Sequence, residues 1–181
     1  NSYDFPIETY DTNIMGIVNI LEAGRKSKSL KAFLNVTTDK CYENKEISRG
    51  YREDEPMGGH DPYSSSKGCS ELITSAYRRS FYKDKKINLA SARGGNVIGG
   101  GDWSNDRLVP DILRSFESNK PVIIRNPHSI RPWQHVLDVL SGYLLLTQKL
   151  YENDDKFSSA WNFGPNYEDS KSVKWIVEYM N

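Results

Sequence analysis

An α/β fold with a mostly parallel sheet is predicted from three features of the sequence. Short apolar runs alternate with helical patterns along almost the whole chain. Some of these runs end in hydroxyl-rich or glycine-rich stretches, the form a parallel strand takes where a functional loop begins. No internal repeat or low-complexity tract interrupts the alternation. At 181 residues, 37 % hydrophobic and 27 % charged, the chain has an ordinary globular composition and the length for one sizeable core.

From Tyr10 to Lys26, Ile14, Ile17, Val18, Leu21 and Arg25 recur at helical spacing, and Gly16 offers a close approach on one side. Lys31–Thr37 reads as a short, mostly buried strand whose polar continuation runs to Asn44. The stretch from Lys45 to Pro62, rich in Gly, Asp and Glu, lies between that strand and a helix, which suits a loop over a site better than a linker. Tyr63–Tyr82 is predicted helical, with Leu72, Ala76 and Arg79 on one stripe. Lys86–Ala92 is the next strand and ends in the glycine-rich run Arg93–Gly101. Leu108–Ser118 forms a helix with Pro110 in its tolerant first turn. Pro121–Ile124 reads as a small strand, and Val136–Tyr151 as a longer helix carrying Val139, Leu140, Tyr143, Leu144, Thr147 and Leu150. Ser159–Phe163 looks like a last strand, and a final helix starts at Ser170 with Val173, Ile176 and Val177 on one face.

Balanced charge, 24 basic against 24 acidic side chains, offers no global attraction to a polyanion, so no nucleic-acid partner is expected. The densest basic cluster, Arg25, Lys26, Lys28 and Lys31, reads as a solvated helix end ahead of a phosphate patch. Cys41 and Cys69 lack the spacing of a disulfide scaffold or zinc knuckle and read as reduced thiols of a cytoplasmic protein. No run approaches the ~18 apolar residues of a membrane-spanning helix, and the opening residues are no signal peptide. His60, His128 and His135 are scattered, and no metal site is expected. The chain opens on Asn1 rather than methionine, which points to an internal segment.

Chemistry concentrates in two short stretches. Tyr63 and Lys67 stand at i and i+4 and so share one helix face. A phenol titrates near ~10 and is a useful base at neutral pH only if its anion is stabilised, which a neighbouring ammonium does. Thr38 supplies a hydroxyl that can bond a substrate oxygen also facing Tyr63; the alternative is a strand-end threonine bonding backbone. Oxidising an alcohol needs one base and a hydride acceptor, so the adjacent acid–base pair Asp39-Lys40 suggests a further step beside the same ring. A solvated, salt-bridged turn is the competing reading of that pair.

The stretches Asp11–Gly16, Asn35–Tyr42, Asp61–Glu71, Ala92–Trp103 and Ile130–Val136 occur together and in order. In them the chain resembles the extended short-chain dehydrogenase/reductases and, within those, the nucleotide-sugar 4,6-dehydratases. The resemblance implies the second half of a Rossmann-like sheet plus part of a smaller substrate-binding region. Residues 1–100 would be the C-terminal half of an NAD-binding domain with the active site, and 101–181 a substrate-binding region interleaved with remaining Rossmann elements. It implies a nucleotide-sugar substrate and NAD as cofactor. Tyr63 would remove the 4-hydroxyl proton, with Lys67 holding the tyrosinate and the cofactor ribose. Lys40, where many relatives use glutamate, would be the C5 base, and Asp39 the acid that protonates the departing 6-hydroxyl. Asn96 and Arg131 would contact the substrate diphosphate, which an arginine fork suits. Arg93 and His135 would approach ligand, with Arg93 at the cofactor, and Asn13 would organise the active-site backbone. A homodimer is implied through the helices at Thr12–Lys26 and Ser64–Tyr82.

The Gly-x-x-Gly-x-x-Gly turn that cradles a dinucleotide does not occur in these residues, so an internal fragment lacking the first half of the cofactor domain is expected. Two rival readings stay open. A 4-epimerase or decarboxylase on the same scaffold would have no need of Asp39-Lys40, and a non-catalytic module would bind sugar nucleotide without NAD.

Overall fold

A computed structural model describes residues 2–152 and 155–181. In chain order the elements are α1 (Pro6–Tyr10), α2 (Gly16–Lys26), β1 (Ala32–Thr38), α3 (Pro62–Tyr77), β2 (Asn88–Gly94), β3 (Asn96–Ile98), α4 (Leu108–Glu117), β4 (Ile130–His135), α5 (Val136–Tyr151), β5 (Ala160–Phe163), β6 (Ser170–Ser172) and α6 (Val173–Met180). They form two compact units, Asn1–Gly94 with Leu140–Phe163, and Gly95–Val139 with Gly164–Asn181.

The first unit is built on a parallel sheet of order β1-β2-β5, in which Ala32 pairs Asn88 and Ser91 pairs Ala160. β2, the central strand, is buried along its whole length. Its side chains alternate between faces, as a strand must. Leu89 joins Ile17, Leu21, Tyr82 and Ile87 in one core, while Ala90 and Ala92 join Leu146 and Leu150 in another. Fully burying a side chain such as Leu21 or Leu89, each at 0 % exposure, contributes roughly 1.5–3 kcal/mol.

Ser91 and Arg93 lie on the Leu89 side of β2, where α3 packs, and there the helix–sheet interface turns polar. Asn35 of β1 donates to Ser70 Oγ at 3.1 Å and to Thr74 Oγ1 at 2.8 Å. The expected stripe of Leu72, Ala76 and Arg79 faces outward, on α3 and on the π-helical turn Arg78–Tyr82 that continues it, with Leu72 at 60 % exposure. The inner face is Ser64, Ser66, Gly68, Ser70, Glu71 and Thr74, which periodicity of apolar residues does not reveal. The first helical segment also differs from expectation. It begins at Pro6, and Asp11–Met15 forms a π-helical turn between α1 and α2. The space beside Gly16 is open, so the close approach expected there is absent.

In the second unit, β4 pairs parallel with β3 and antiparallel with β6. Trp133 Nε1 donates to the Lys171 carbonyl at 3.0 Å, and the Ser172 hydroxyl caps α6 by accepting from the Trp175 N–H at 3.1 Å. Pro121–Ile124, expected as a strand, forms no ladder. Pro121 has no N–H to donate, and β3 and β6 take both sides of β4. No helix of the described residues is long and apolar enough to cross a membrane.

Candidate active site

β1 ends on Thr38, which is buried at 6 % exposure. The chain then tightens into a 3₁₀ turn, Asp39–Cys41, capped by the Thr38 side chain, which accepts from the Lys40 N–H at 3.4 Å. The Thr38 hydroxyl donates to Asp39 Oδ1 at 3.0 Å, and Lys40 Nζ donates to the same oxygen at 3.3 Å. Both charged side chains reach solvent. Behind them, burial pushes the Cys41 thiol up to about 12, so it stays protonated and is no nucleophile at neutral pH.

This turn packs against α3, whose start is firmly built. Asp61 caps it by accepting from the backbone N–H groups of Tyr63 and Ser64, at 3.0 and 3.1 Å, and from the Ser64 hydroxyl, while Pro62 sits at the first helical position. Burial opposes the Asp61 charge, yet these donors hold its carboxyl below the usual aspartate value. The cap therefore persists at neutral pH and is lost only in acid, as pH falls through that lowered value.

Tyr63 is 37 % exposed. Lys67 Nζ lies 6.0 Å from the Tyr63 ring centroid, within reach of a cation–π contact. Burial pushes the half-buried Lys67 ammonium below the ordinary lysine value, and the Glu71 carboxylate opposes that shift. The first helical segment braces this end of α3. Tyr10 Oη and Ser65 Oγ share a hydrogen bond of 2.8 Å, and Asn13, in the π turn, donates to Ser66 Oγ at 2.9 Å. Ser66 in turn donates to the Tyr63 carbonyl at 2.7 Å, so Asn13 reaches the backbone of the site through one hydroxyl.

Two glycines permit the close packing. A Cβ on Gly68 would fall 2.9 Å from the Gly58 carbonyl oxygen and 3.3 Å from that of Cys41. Gly59, at φ +134°, would place one 2.4 Å from the Ser65 nitrogen. Gly59→Ala is therefore expected to destabilise the fold by about 1–3 kcal/mol from backbone strain alone, with a further loss from displacing the first turn of α3. Chemical denaturation of the variant checks this, and an unchanged midpoint would contradict it.

The structure thus packs α3, which carries Tyr63 and Lys67, against the turn Asp39–Cys41 that follows Thr38. Arg93 is 4 % exposed and donates to Glu71 Oε2 at 2.8 Å, to Tyr42 Oη at 2.6 Å and to the Glu53 carbonyl at 3.0 Å. Burial works against its charge and the Glu71 carboxylate outweighs it, raising its pKa. The structure holds Arg93 in a buried ion pair with Glu71, with its Nε left without a hydrogen-bond partner among the described residues.

Sequence reasoning missed the partners that hold the 43–61 loop in place. Tyr42 Oη donates to Asn162 Oδ1 at 2.6 Å, and its ring stacks on Tyr51 at 5.2 Å. Asn162 donates through its side chain to the Tyr51 carbonyl at 2.8 Å and through its backbone to Glu53 Oε1 at 2.9 Å. No local signal marks Asn162, because its partners come from a loop more than a hundred residues earlier.

In the second unit, Asn96 is the register partner of Trp133, two residues from Arg131. Asn96 Oδ1 is buried with no hydrogen-bond partner among the described residues. Arg131 is exposed and lines a recess of about 180 Å³ with Asp106, Ile123, Arg125 and Ser129. His135 is exposed, and its Nδ1 accepts from the Leu137 N–H at 3.2 Å. The Pro121–Ile124 run, in place of a strand, supplies part of that recess's wall.

Comparison with known proteins agrees with this architecture. The chain is 60 % identical to a CDP-glucose 4,6-dehydratase of Salmonella typhimurium over 99 % of its own length and 51 % of that protein's. It thus spans about half the length of the curated relative it matches. A dTDP-glucose 4,6-dehydratase of Bacillus anthracis, solved in complex with NAD, superposes with a TM-score of 0.76 at 27 % identity, over 93 % of this chain and 50 % of that one. A dTDP-glucose 4,6-dehydratase of Streptomyces venezuelae superposes at 0.82 over 99 % of this chain and 52 % of that one, and at 19 % identity it speaks for the fold alone. With residues 1–164 matching the family profile, the chain belongs to the NAD dependent epimerase/dehydratase family.

Proposed function

We propose that the full-length protein carrying this chain is a lyase that converts CDP-glucose to CDP-4-keto-6-deoxyglucose. The observation that supports the reading is the packing of α3, with Tyr63 and Lys67 on one face, against the turn that carries the Asp39–Lys40 ion pair, which we read as two acid–base sets. A 4-epimerase or decarboxylase has work for the first set only. The CDP-glucose 4,6-dehydratase at 60 % identity supports the choice of nucleotide.

The donor set fits the nicotinamide-ribose end of NAD, since a half-buried ammonium and a phenol share one helix face at the carboxyl end of a parallel strand. Tyr63 and Lys67 would hold it there. The chemistry NAD would supply there is acceptance of a hydride from C4 and its return to C6. In this reading Thr38 orients the sugar 4-hydroxyl, and Tyr63, its anion stabilised by Lys67, takes the hydroxyl proton. The resulting 4-keto group acidifies the proton on C5. Lys40, which must be neutral to act, takes that proton while Asp39 protonates the 6-hydroxyl, which leaves as water. Lys40 then returns its proton to C5.

The first compact unit is read as the cofactor half with the active site, and the second as the substrate side. There the side-chain amide N–H groups of Asn96, which can donate, and the exposed Arg131 suit a diphosphate. A homodimer belongs to the same proposal, supported by large exposed apolar side chains on both helical segments, Ile7, Met15 and Ile20 on the first and Leu72 on α3. Incubating the full-length protein with NAD⁺ and CDP-, dTDP- or GDP-glucose tests the function. The 4-keto product is expected from CDP-glucose, and its appearance only from another nucleotide sugar would overturn the nucleotide assignment.

A further inference from the structure

We propose that Glu71 is a positioning residue for the Tyr63–Lys67 pair, tying the helix that carries the pair to β1 and β2 through Thr37, Ser91 and Arg93. The proposal rests on the reading of Tyr63 and Lys67 as catalytic.

Glu71 follows Lys67 by four residues and Tyr63 by eight, so the three fall along one side of α3. Its side chain is only 3 % exposed and pairs with Arg93 at 2.8 Å. Both carboxylate oxygens are used. The Thr37 hydroxyl donates to Oε1, while the Ser91 hydroxyl, at 2.7 Å, and Arg93 donate to Oε2. Thr37 immediately precedes Thr38, the last residue of β1, while Ser91 lies midway along β2 and Arg93 next to its last residue.

A helix resting on a strand through apolar contacts can slide by fractions of an ångström with little cost. One docked by charge-assisted hydrogen bonds to three different side chains cannot. The bonds span both neighbouring strands, so they fix α3 in translation as well as in distance from the sheet. Thr38 sits on β1 and Tyr63 on α3, and the two must meet one sugar oxygen. The docking bonds between those elements therefore set the geometry of the reacting groups. Glu71 is also the charge that opposes the effect of burial on the Lys67 ammonium. Arg93 extends the same anchor to Tyr42, one residue past the turn carrying Asp39 and Lys40.

The test uses the full-length protein with Glu71→Gln, Tyr63→Phe and the double variant. Glu71→Gln keeps the volume and one acceptor while removing the charge. A misplaced reacting group costs about 100-fold, so kcat for CDP-glucose is expected to fall about that much, with KM within roughly threefold. In the Tyr63→Phe background the same change should add little, because residues acting as one unit are not additive. With ring-labelled tyrosine, the Tyr63 NMR resonance, assigned by Tyr63→Phe, should move in Glu71→Gln while that of Tyr151 on α5 stays.

Should Glu71→Gln fail to fold, Thr37→Val removes one donor and leaves the ion pair, with a fall in kcat of about tenfold expected. A kcat within threefold of wild type, equal losses in both backgrounds, or an unmoved Tyr63 resonance would overturn the proposal. If the wild-type protein does not convert CDP-glucose, the functional reading fails, and the Tyr63 resonance still decides whether Glu71 positions that ring.

Discussion

Tyr63→Phe in the full-length protein is expected to lower kcat for CDP-glucose by about 10²- to 10⁴-fold, the range attributed to a positioned general base. The local structure should survive, because Asp61 caps the helix through the Tyr63 backbone N–H rather than its hydroxyl. The ring is retained, so KM should change little, which marks an interaction made in the transition state. The variant should also form no reduced nicotinamide on mixing with NAD⁺ and sugar nucleotide, since it fails at the first proton removal. Stopped-flow absorbance and product assay together check both points. Turnover within threefold of wild type would remove Tyr63 from the mechanism.

Asp39→Asn is expected to give a different defect of similar size. Asparagine keeps an oxygen in the place of Oδ1, which accepts from the Thr38 hydroxyl and from Lys40 Nζ, so the turn should hold its shape. It cannot donate the proton that a departing 6-hydroxyl requires. Product formation should fall about 10²- to 10⁴-fold, while C4 oxidation continues and reduced nicotinamide accumulates on the enzyme. The two variants therefore separate by spectrum as well as by rate. An Asp39→Asn protein that lost both oxidation and product equally would place Asp39 with Tyr63 rather than in elimination.

How much of this was legible in the sequence depends on the range of each interaction. β1 and β2 announce themselves because an apolar run is followed at once by hydroxyls or glycines, and Tyr63 with Lys67 is visible because helical spacing alone puts the two on one face. β3, β4 and β6 leave little periodicity. β3 and β6 are three residues each, and β4 carries Arg131 and Pro132 in a half-exposed ladder. The apolar run Pro121–Ile124 imitates a strand but pairs with none of the described strands, and Pro121 lacks an N–H for a ladder. The inner face of α3 escapes a search for apolar stripes because it is polar, and its meaning appears only when Asn35, Thr37, Ser91 and Arg93 are set against it. Arg93 shows the same limit. Its place in a glycine-rich strand end suggests a ligand and gives no hint of the buried Glu71 carboxylate it pairs with.

Whether one site oxidises, eliminates and reduces the same sugar is decided by isotope position. CDP-glucose labelled with deuterium at C4 should be converted in ordinary water by the full-length protein with NAD⁺. The label is expected at C6 of the 4-keto-6-deoxy product, with no net build-up of reduced cofactor. Label lost to solvent, or an epimer still labelled at C4, would contradict a one-site reaction.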